Sequence, residues 1–474
     1  MHRTKSNCLS DEFASKPIPQ LIGKFFWPTL LASILASIND IVDRIYIGQG
    51  IGAEALSGVI LVFPIMLGVM AFVSLTSTGT SVKISTALGA KDNENAELAL
   101  GNSTVINAII GIAGLLFILF TKEDLLQLFG VSNVTKSYAD DYLSVIAIGW
   151  SVLPVGANFL GVARSEGNVR LAMYVASAAI VLNIIFDPIF IFWFKMGVKG
   201  AAWASVIASV STLVWGIFHF NGKYSIVKLQ TSAFKLKGKL ILEIVKLGIA
   251  PFSMAISMSF VQGITNTQLT KYGGELAIGV LGVIMSIMAL MMYVIRSLAG
   301  SAQPIISYNL GAKKYDRINQ TILYLIKMST IISCVAFAII MLFPDFLVTL
   351  FSRENDAFRS LGVNGLRLSS LALPLYGIMM IGSQYFIAVG QSIKATILNL
   401  LQQVIIYLPT LYILGYYFGL DGLWITNSVS IGLAALIILF FLVKEYKHLK
   451  LLNRQFAIVQ KNTSLNTQQV YQSL

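Results

Sequence analysis

The chain has 474 residues, of which 56% are hydrophobic and 12% are charged, and its formal net charge is +12. Soluble domains carry about 25% charged residues, so this composition excludes an ordinary water-soluble protein and indicates one embedded in a membrane. The basic residues concentrate in alternate loops between apolar runs. Because cytoplasmic loops carry an excess of Lys and Arg, the charge indicates membrane topology and contact with anionic lipids rather than a nucleic-acid partner.

Twelve apolar runs follow one another along the chain, each long enough to cross a hydrocarbon core of about 30 Å. Backbone groups in lipid must satisfy their own hydrogen bonds, so the runs predict membrane-spanning helices. The predicted spans cover 21–47, 57–80, 98–120, 138–162, 172–194, 198–220, 241–270, 276–300, 321–343, 363–389, 395–418 and 422–443.

These spans predict an all-α integral membrane protein of two lobes. The expected parts are an N-terminal tail (1–20), a six-helix lobe (21–220), a lysine-rich linker acting as a hinge (221–240), a second six-helix lobe (241–443) and a polar tail (444–474). The composition of that last tail, rich in Gln, Asn and Ser, predicts mostly disorder. The loop charges predict that both termini and the linker are cytoplasmic, in a bacterial inner (plasma) membrane.

The two halves of the chain repeat each other. STALGAK (85–91) corresponds to SYNLGAK (307–313), and Gly89 and Gly311 within these strings are 222 residues apart. Further pairs at similar spacing are Gly200 and Gly422, Pro28 and Pro251, Pro154 and Pro374, and Pro188 and Pro409. Six spans per half give both halves the same orientation, so a pseudo-twofold axis along the membrane normal is expected. This arrangement suits transport by alternating access.

Three acidic residues fall inside apolar spans of the first half: Asp40, Asp43 and Asp187. An ionisable group in lipid costs about 2.5–3.5 kcal/mol or more, so it indicates a function. Asn39 and Asp43 are four residues apart, as are Asn183 and Asp187, so each pair shares one helix face. Such carboxylates can bind Na⁺, or take up a proton when burial disfavours two negative charges. The residues themselves leave both possibilities open.

Neighbouring residues qualify this interpretation. Pro188 removes a backbone hydrogen bond beside Asp187 and predicts a kink that couples the acid to helix motion. A purely structural alternative is that Asp40 or Asp43 pairs with Arg44. Arg296, in the eighth span, is expected either to face a central cavity or to extend to the membrane interface.

At these residues the chain resembles the multidrug and toxic compound extrusion (MATE) family, in the prokaryotic branch of DinF-like and MepA-like proteins. The resemblance covers about residues 20–445. It rests on the strings IVDRIYIGQGIGAEAL (41–56), LGAK (88–91), RSEGN (164–168), NIIFDPIFIF (183–192), GVKGAAWAS (197–205) and AQPIISYNLGAKKYDR (302–317).

The resemblance implies a V-shaped pair of six-helix bundles that exports organic cations, dyes and drugs in exchange for H⁺ or Na⁺. It also implies that Asp43, Asn183 and Asp187 are the coupling residues and that Ser205 supplies a hydroxyl ligand. The chain departs from the family pattern at Asp40, where relatives often have Asn. It also lacks the acids that some relatives carry in the seventh and tenth helices, so coupling through the C-terminal lobe by an acid is not expected.

The candidate residues of a cargo path lie in the seventh, eighth and tenth predicted spans. Methionine and aromatic side chains can repack around hydrophobic cations of different shapes. Their structural alternative is ordinary packing against lipid or other helices. The candidates are Gln262, Asn266, Met258, Met292, Arg296, Tyr376 and Gln384.

The resulting hypothesis is a cation-coupled antiporter that works as a monomer, with small amphipathic cations as its partners. The alternatives are a narrow-specificity metabolite exporter and a lipid-linked oligosaccharide flippase, which would need a cationic cavity. No nucleophile, structural-metal or nucleotide motif is present, so neither an enzyme nor a cofactor other than the coupling ion is expected. The residues name neither the physiological cargo nor the coupling ion.

Overall fold

We describe a computed structural model of the chain, which covers residues 12–13, 15–128, 133–350 and 356–472. Within these ranges every regular element is a helix. The first half contains α1 (Ile18–Gly50), α2 (Ala53–Gly89), α3 (Asn93–Leu128), α4 (Asn133–Ser165), α5 (Val169–Pro188) and α6 (Val198–Asn221). A π-helical turn, Ile189–Trp193, continues α5.

The second half contains α7 (Gly238–Gly274), α8 (Gly279–Gly311), α9 (Tyr315–Leu342), α10 (Pro344–Thr349), α11 (Asp356–Ser370), α12 (Leu373–Ala388), α13 (Ser392–Leu400) and α14 (Tyr407–Gln472). A second π-helical turn, Leu401–Ile406, joins α13 to α14. In the linker, Thr231–Phe234 form a short 3₁₀-helix.

The described helices include ten that are long and apolar enough to cross a membrane, or eleven with the bent pair α11 and α12, and the run Ser392–Gln455 among them is divided again at Gly419. Gly274 separates α7 from α8 with φ 64°, and Gly419 divides α14 into two crossings with φ 59°. Only glycine adopts this conformation without strain, which makes these the points where continuous helical runs reverse. The helices α11 and α12, bent by 49°, form one crossing together. The predicted all-α membrane fold is confirmed.

The backbone repeats with the sequence. Lys91 and Lys313 have left-handed φ angles of 60° and 56° directly after α2 and α8. The same hydrogen bonds end the helix in both halves. In the first half Lys91 N–H donates to Leu88 O, and in the second half Lys313 N–H donates to Leu310 O, both at 3.1 Å. The two halves are therefore built alike down to their helix ends.

The lobes meet at one end and separate at the other. A single apolar core near the linker contains side chains of both lobes, for example Phe25 and Ile84 with Ile244 and Ile305. Beyond it the core divides into one cluster within the N-terminal lobe and another within the C-terminal lobe. The molecule is a V, closed at what we call the linker side and open at the far side.

The linker is held against the N-terminal lobe. Asn102 on α3, fully buried, donates to the carbonyl oxygens of Ala233 (3.0 Å) and Lys235 (3.2 Å) and accepts from Lys237 N–H at 2.7 Å. Glu97 accepts hydrogen bonds from Lys228 N–H at 3.3 Å and from the Gln230 amide at 2.6 Å. The expected hinge is therefore a docked segment up to the start of α7.

The C-terminal tail differs from expectation. The predicted disorder of 444–474 is wrong for the described residues, because α14 continues to Gln472. Leu449 is buried, and Asn453 donates to Asp316 Oδ2 at 2.6 Å. No Gly or Pro interrupts residues 444–472, so nothing local ends the helix.

Candidate functional site

The site lies in the N-terminal lobe, where α1 and α5 bring two aspartates together. Asp187 is fully buried, whereas Asp43 is half-buried. The two carboxyl groups lie within hydrogen-bonding reach of each other. Neither oxygen of Asp187 receives a hydrogen bond from a donor in the described part of the chain. Two adjacent carboxyl groups repel each other when both are charged, so a proton or a cation between them would stabilise the pair.

Amide side chains surround the aspartate pair. Asn39 donates through Nδ2 to Asp43 Oδ2 at 3.1 Å, as their four-residue spacing predicts. The Asn183 amide can donate to Ser205 Oγ at 3.3 Å. Turned by 180°, it donates to Asn39 Oδ1 (2.9 Å) and Asp43 Oδ1 (3.3 Å) while accepting from Ser205 N–H (3.1 Å), which satisfies both of its ends.

Close packing of α5 on α6 explains why Ser205 reaches this cluster. A Cβ atom on Gly200 would lie 2.8 Å from the backbone carbon of Phe190, so only glycine permits this approach. Ser205 follows on α6 and meets Asn183 across the contact. Asp187 stands directly before Pro188, after which the π-helical turn Ile189–Trp193 begins. π-Helical turns inside helices are frequent at functional sites.

Asp40 occupies a more open position. It is exposed and interacts electrostatically with Asp43 and Arg44. No salt bridge within 4.0 Å joins Arg44 to Asp40 or Asp43 in the described chain. The structural alternative of an Arg44 ion pair is therefore not formed here.

Tyr142 on α4 is a candidate site residue that the sequence interpretation missed. It is buried, and its hydroxyl group interacts electrostatically with Asp43, Asp187 and Asp40. Its position depends on how α4 packs against the other helices, and no local pattern separates it from the other tyrosines of the chain. The carboxyl pair thus lies within electrostatic range of a buried phenol.

The predicted cargo residues are distributed through the C-terminal lobe. Gln262 donates to Asn266 Oδ1 at 2.9 Å on α7, and Gln384 donates to Gln303 Oε1 at 3.2 Å. Tyr376 is buried, and its hydroxyl group interacts electrostatically with Arg296. The exposed members of the set are Met258, Met292 and Arg296. Their role in a cargo path stays a prediction.

Two six-helix halves related by an internal repeat are an architecture of membrane transporters. The family model described as MatE matches residues 28–189 and again 252–413, once in each half and together more than half of the chain. The chain therefore belongs to the MATE family of membrane transporters, which are not enzymes. This confirms the family that its motifs indicated.

Individual relatives match the sequence over nearly the whole length of the chain. The chain is 28% identical over 421 residues to the multidrug export protein MepA of Staphylococcus saprophyticus, covering 88% of this chain and 92% of the relative. It is also 28% identical over 434 residues to MepA of Staphylococcus aureus, covering 91% and 95% respectively.

Solved structures share the fold. A transporter of the MOP superfamily from Pyrococcus furiosus superposes with a TM-score of 0.86 at 24% identity, covering 93% of this chain and 98% of that one. A MATE crystal structure in the bent conformation has a TM-score of 0.88 with the same identity and coverage.

Proposed function

We propose that the protein exports amphipathic organic cations and drugs by alternating access, in exchange for H⁺ or Na⁺. The observation that carries the coupling is Asp187, which is fully buried against Asp43 without a donor for either of its oxygens. The relatives named as multidrug export proteins support the class of cargo.

The proposed coupling between ion binding and helix motion depends on the charge of the two carboxyl groups. A proton or Na⁺ arriving from the far side would bridge the carboxyl groups of Asp43 and Asp187 and draw α1 towards α5. Asn39, Asn183 and Ser205 would orient the two carboxyl groups or complete an oxygen-rich cation site. Because Pro188 and the following π-helical turn leave the end of α5 without regular helical hydrogen bonding, this segment can bend at low cost.

The direction of transport follows from the loops. The linker carries Lys223, Lys228, Lys235, Lys237 and Lys239. By the positive-inside rule the linker side is cytoplasmic, so the V described above opens outwards. In this orientation the coupling ion enters from outside while cargo leaves, and release of the ion into the cytoplasm resets the transporter.

The test is efflux of a cationic dye from proteoliposomes that contain the purified protein, with a proton gradient or a sodium gradient imposed separately. Wild type should respond to one gradient, and Asp187→Asn should abolish that response. Asp141→Asn is the matched control, because Asp141 pairs with Lys199 at 3.0 Å outside the site. Full gradient-driven efflux by the Asp187→Asn variant would contradict the proposal.

A further inference from the structure

Two adjoining cavities lie between the helices near the linker side, and Arg164 lines both. The larger, of about 210 Å³, lies between α1 and α5 and has apolar walls that include Pro28, Ala32, Ala172 and Met173. The smaller, of about 70 Å³, reaches α2 and α8 and is more polar. Together they form one space with an apolar part and a polar part, which we call the Arg164 cavity.

Arg164 has no counter-ion in this space. It is exposed towards the cavities and forms no ion pair or hydrogen bond with any residue that the structure describes. No Asp or Glu lines either part. Some other basic side chains on the linker side have partners, since Lys83 pairs with Glu243 at 2.5 Å and Arg317 donates to Lys16 O at 2.6 Å. Arg164 combines an unpaired guanidinium group with a position that lines both cavities.

Further donors face the same space. Gln303 lines the smaller part, and its Nε2 atom is buried without a partner while its Oε1 accepts from Gln384. The hydroxyl-bearing residues Ser77 and Thr78 line the same wall. Buried donors are nearly always paired in native proteins, so an unpaired amide beside an unpaired guanidinium group favours an acceptor ligand.

We propose that the Arg164 cavity binds the anionic group, a carboxylate or a phosphate, of an amphipathic molecule. The guanidinium group of Arg164 offers a two-pronged contact that matches either anion, and Gln303 adds a further donor. The alanine- and methionine-lined part accepts the adjoining apolar segment. Since sites that enclose a drug-sized ligand measure about 300–1,000 Å³, the cavity holds the headgroup and the beginning of the tail.

This inference rests on the proposed transport function and extends its cargo. A transporter with only acidic recognition groups would select cations. An unpaired arginine between the lobes extends the cargo to zwitterions and amphipathic anions, in which one end contacts Arg164 and the other contacts apolar walls. The same chemistry fits a phospholipid headgroup, so the experiment must separate cargo from lipid.

The experiment measures equilibrium binding to the purified full-length protein in detergent. The probes are a fluorescent alkyl phosphate and a fluorescent alkyl trimethylammonium of equal chain length. Arg164→Gln should weaken alkyl phosphate binding at least about tenfold, because charge-assisted hydrogen bonds are lost, with Arg164→Lys intermediate. Alkyl trimethylammonium binding should change less than about twofold. The control is Arg170→Gln, which removes an exposed charge that lines neither cavity.

The outcomes separate the alternatives. Unchanged alkyl phosphate binding in Arg164→Gln would overturn the proposal, and so would an equal loss for both probes, which indicates a structural effect. Competition by phosphatidylglycerol identifies a lipid headgroup and competition by inorganic phosphate a soluble anion, and either supports the site. If neither compound competes with the alkyl phosphate, the proposal is contradicted. Because binding is read without transport, failure of the proposed export function would leave this result interpretable.

Discussion

Gly89 and Gly311 lie at the crossing of α2 and α8 in a reciprocal contact. A Cβ atom on Gly89 would lie 2.0 Å from Tyr308 O, and a Cβ atom on Gly311 would lie 2.0 Å from Thr86 O. Each lobe therefore presents the same glycine to the backbone of the other, as a twofold axis requires. The repeated LGAK strings place this contact at the linker side, where the V is closed.

Replacing either glycine should hinder closure of the linker side. In Gly89→Ala the new methyl group meets backbone atoms, which cannot move aside as a side chain can. We expect a shift towards states open at the linker side and at least about a tenfold loss of efflux, a change of about 1.4 kcal/mol. Spin-label distances between α2 and α8 would measure the shift.

Gly114→Ala on α3 is the control for this prediction, since a Cβ atom there would meet nothing within 4 Å. Distances and efflux should remain those of wild type in the control. Unchanged distances in Gly89→Ala and Gly311→Ala alike would show that the glycine contact does not govern closure.

Phe13 should stabilise the same closed side. It is buried between Phe25 of the N-terminal lobe and Tyr308 of the C-terminal lobe, with ring centroids 5.4 Å and 5.1 Å away. Asn309 also donates to Phe13 O at 3.2 Å. Phe13→Ala should lower the stability of the closed state by about 3 kcal/mol, as for buried aromatic side chains in general.

Thermal unfolding in detergent and the accessibility of a cysteine placed at the linker side would measure the effect of Phe13→Ala. Trp27→Ala is a suitable control, because Trp27 is 62% exposed. Equal, small shifts in both variants would argue against an interlobe role for Phe13.

Glu166 should hold the linker in place. Its buried carboxylate accepts hydrogen bonds from Ser225 Oγ at 2.5 Å and from Val227 N–H at 2.9 Å, and His219 Nε2 lies 3.4 Å away. Glu166→Ala would leave the Val227 N–H without its acceptor, while Ser225 Oγ keeps its bond to Val227 O, and should cost about 1–3 kcal/mol. Hydrogen exchange over residues 222–230 should become faster, whereas Glu94→Ala, at an exposed position, should leave it unchanged.

Tyr142→Phe tests whether the phenol belongs to the coupling site. Loss of a hydroxyl group that interacts electrostatically with the carboxyl pair should change the ion concentration for half-maximal dye efflux by about two- to tenfold. Tyr138→Phe, one turn earlier on α4, should not change it. An identical ion dependence in both variants would remove Tyr142 from the site.

The sequence allowed much of this structure to be predicted, for physical reasons that differ between residues. Asn39 with Asp43, and Asn183 with Asp187, share helix faces because helical periodicity is local. The glycine pair was visible as a repeat, but its backbone contact depends on how two lobes pack. Tyr142 and the unpaired Arg164 depend on packing between helices, and so no local pattern indicates either. The prediction of a disordered tail was wrong because polar composition alone does not end a helix, and this one is also held by the buried Leu449.

The docking of the linker also determines where the polypeptide can be divided. Its last hydrogen bond to the N-terminal lobe runs from Lys237 N–H to Asn102 Oδ1 at 2.7 Å, and α7 begins at Gly238. Two fragments divided after Lys237 should each retain their native secondary structure. A cut at residue 225 would instead separate linker residues 226–237 from the N-terminal lobe to which they bind. Split-protein reporters and co-expressed half-transporters of this chain should therefore be divided after residue 237.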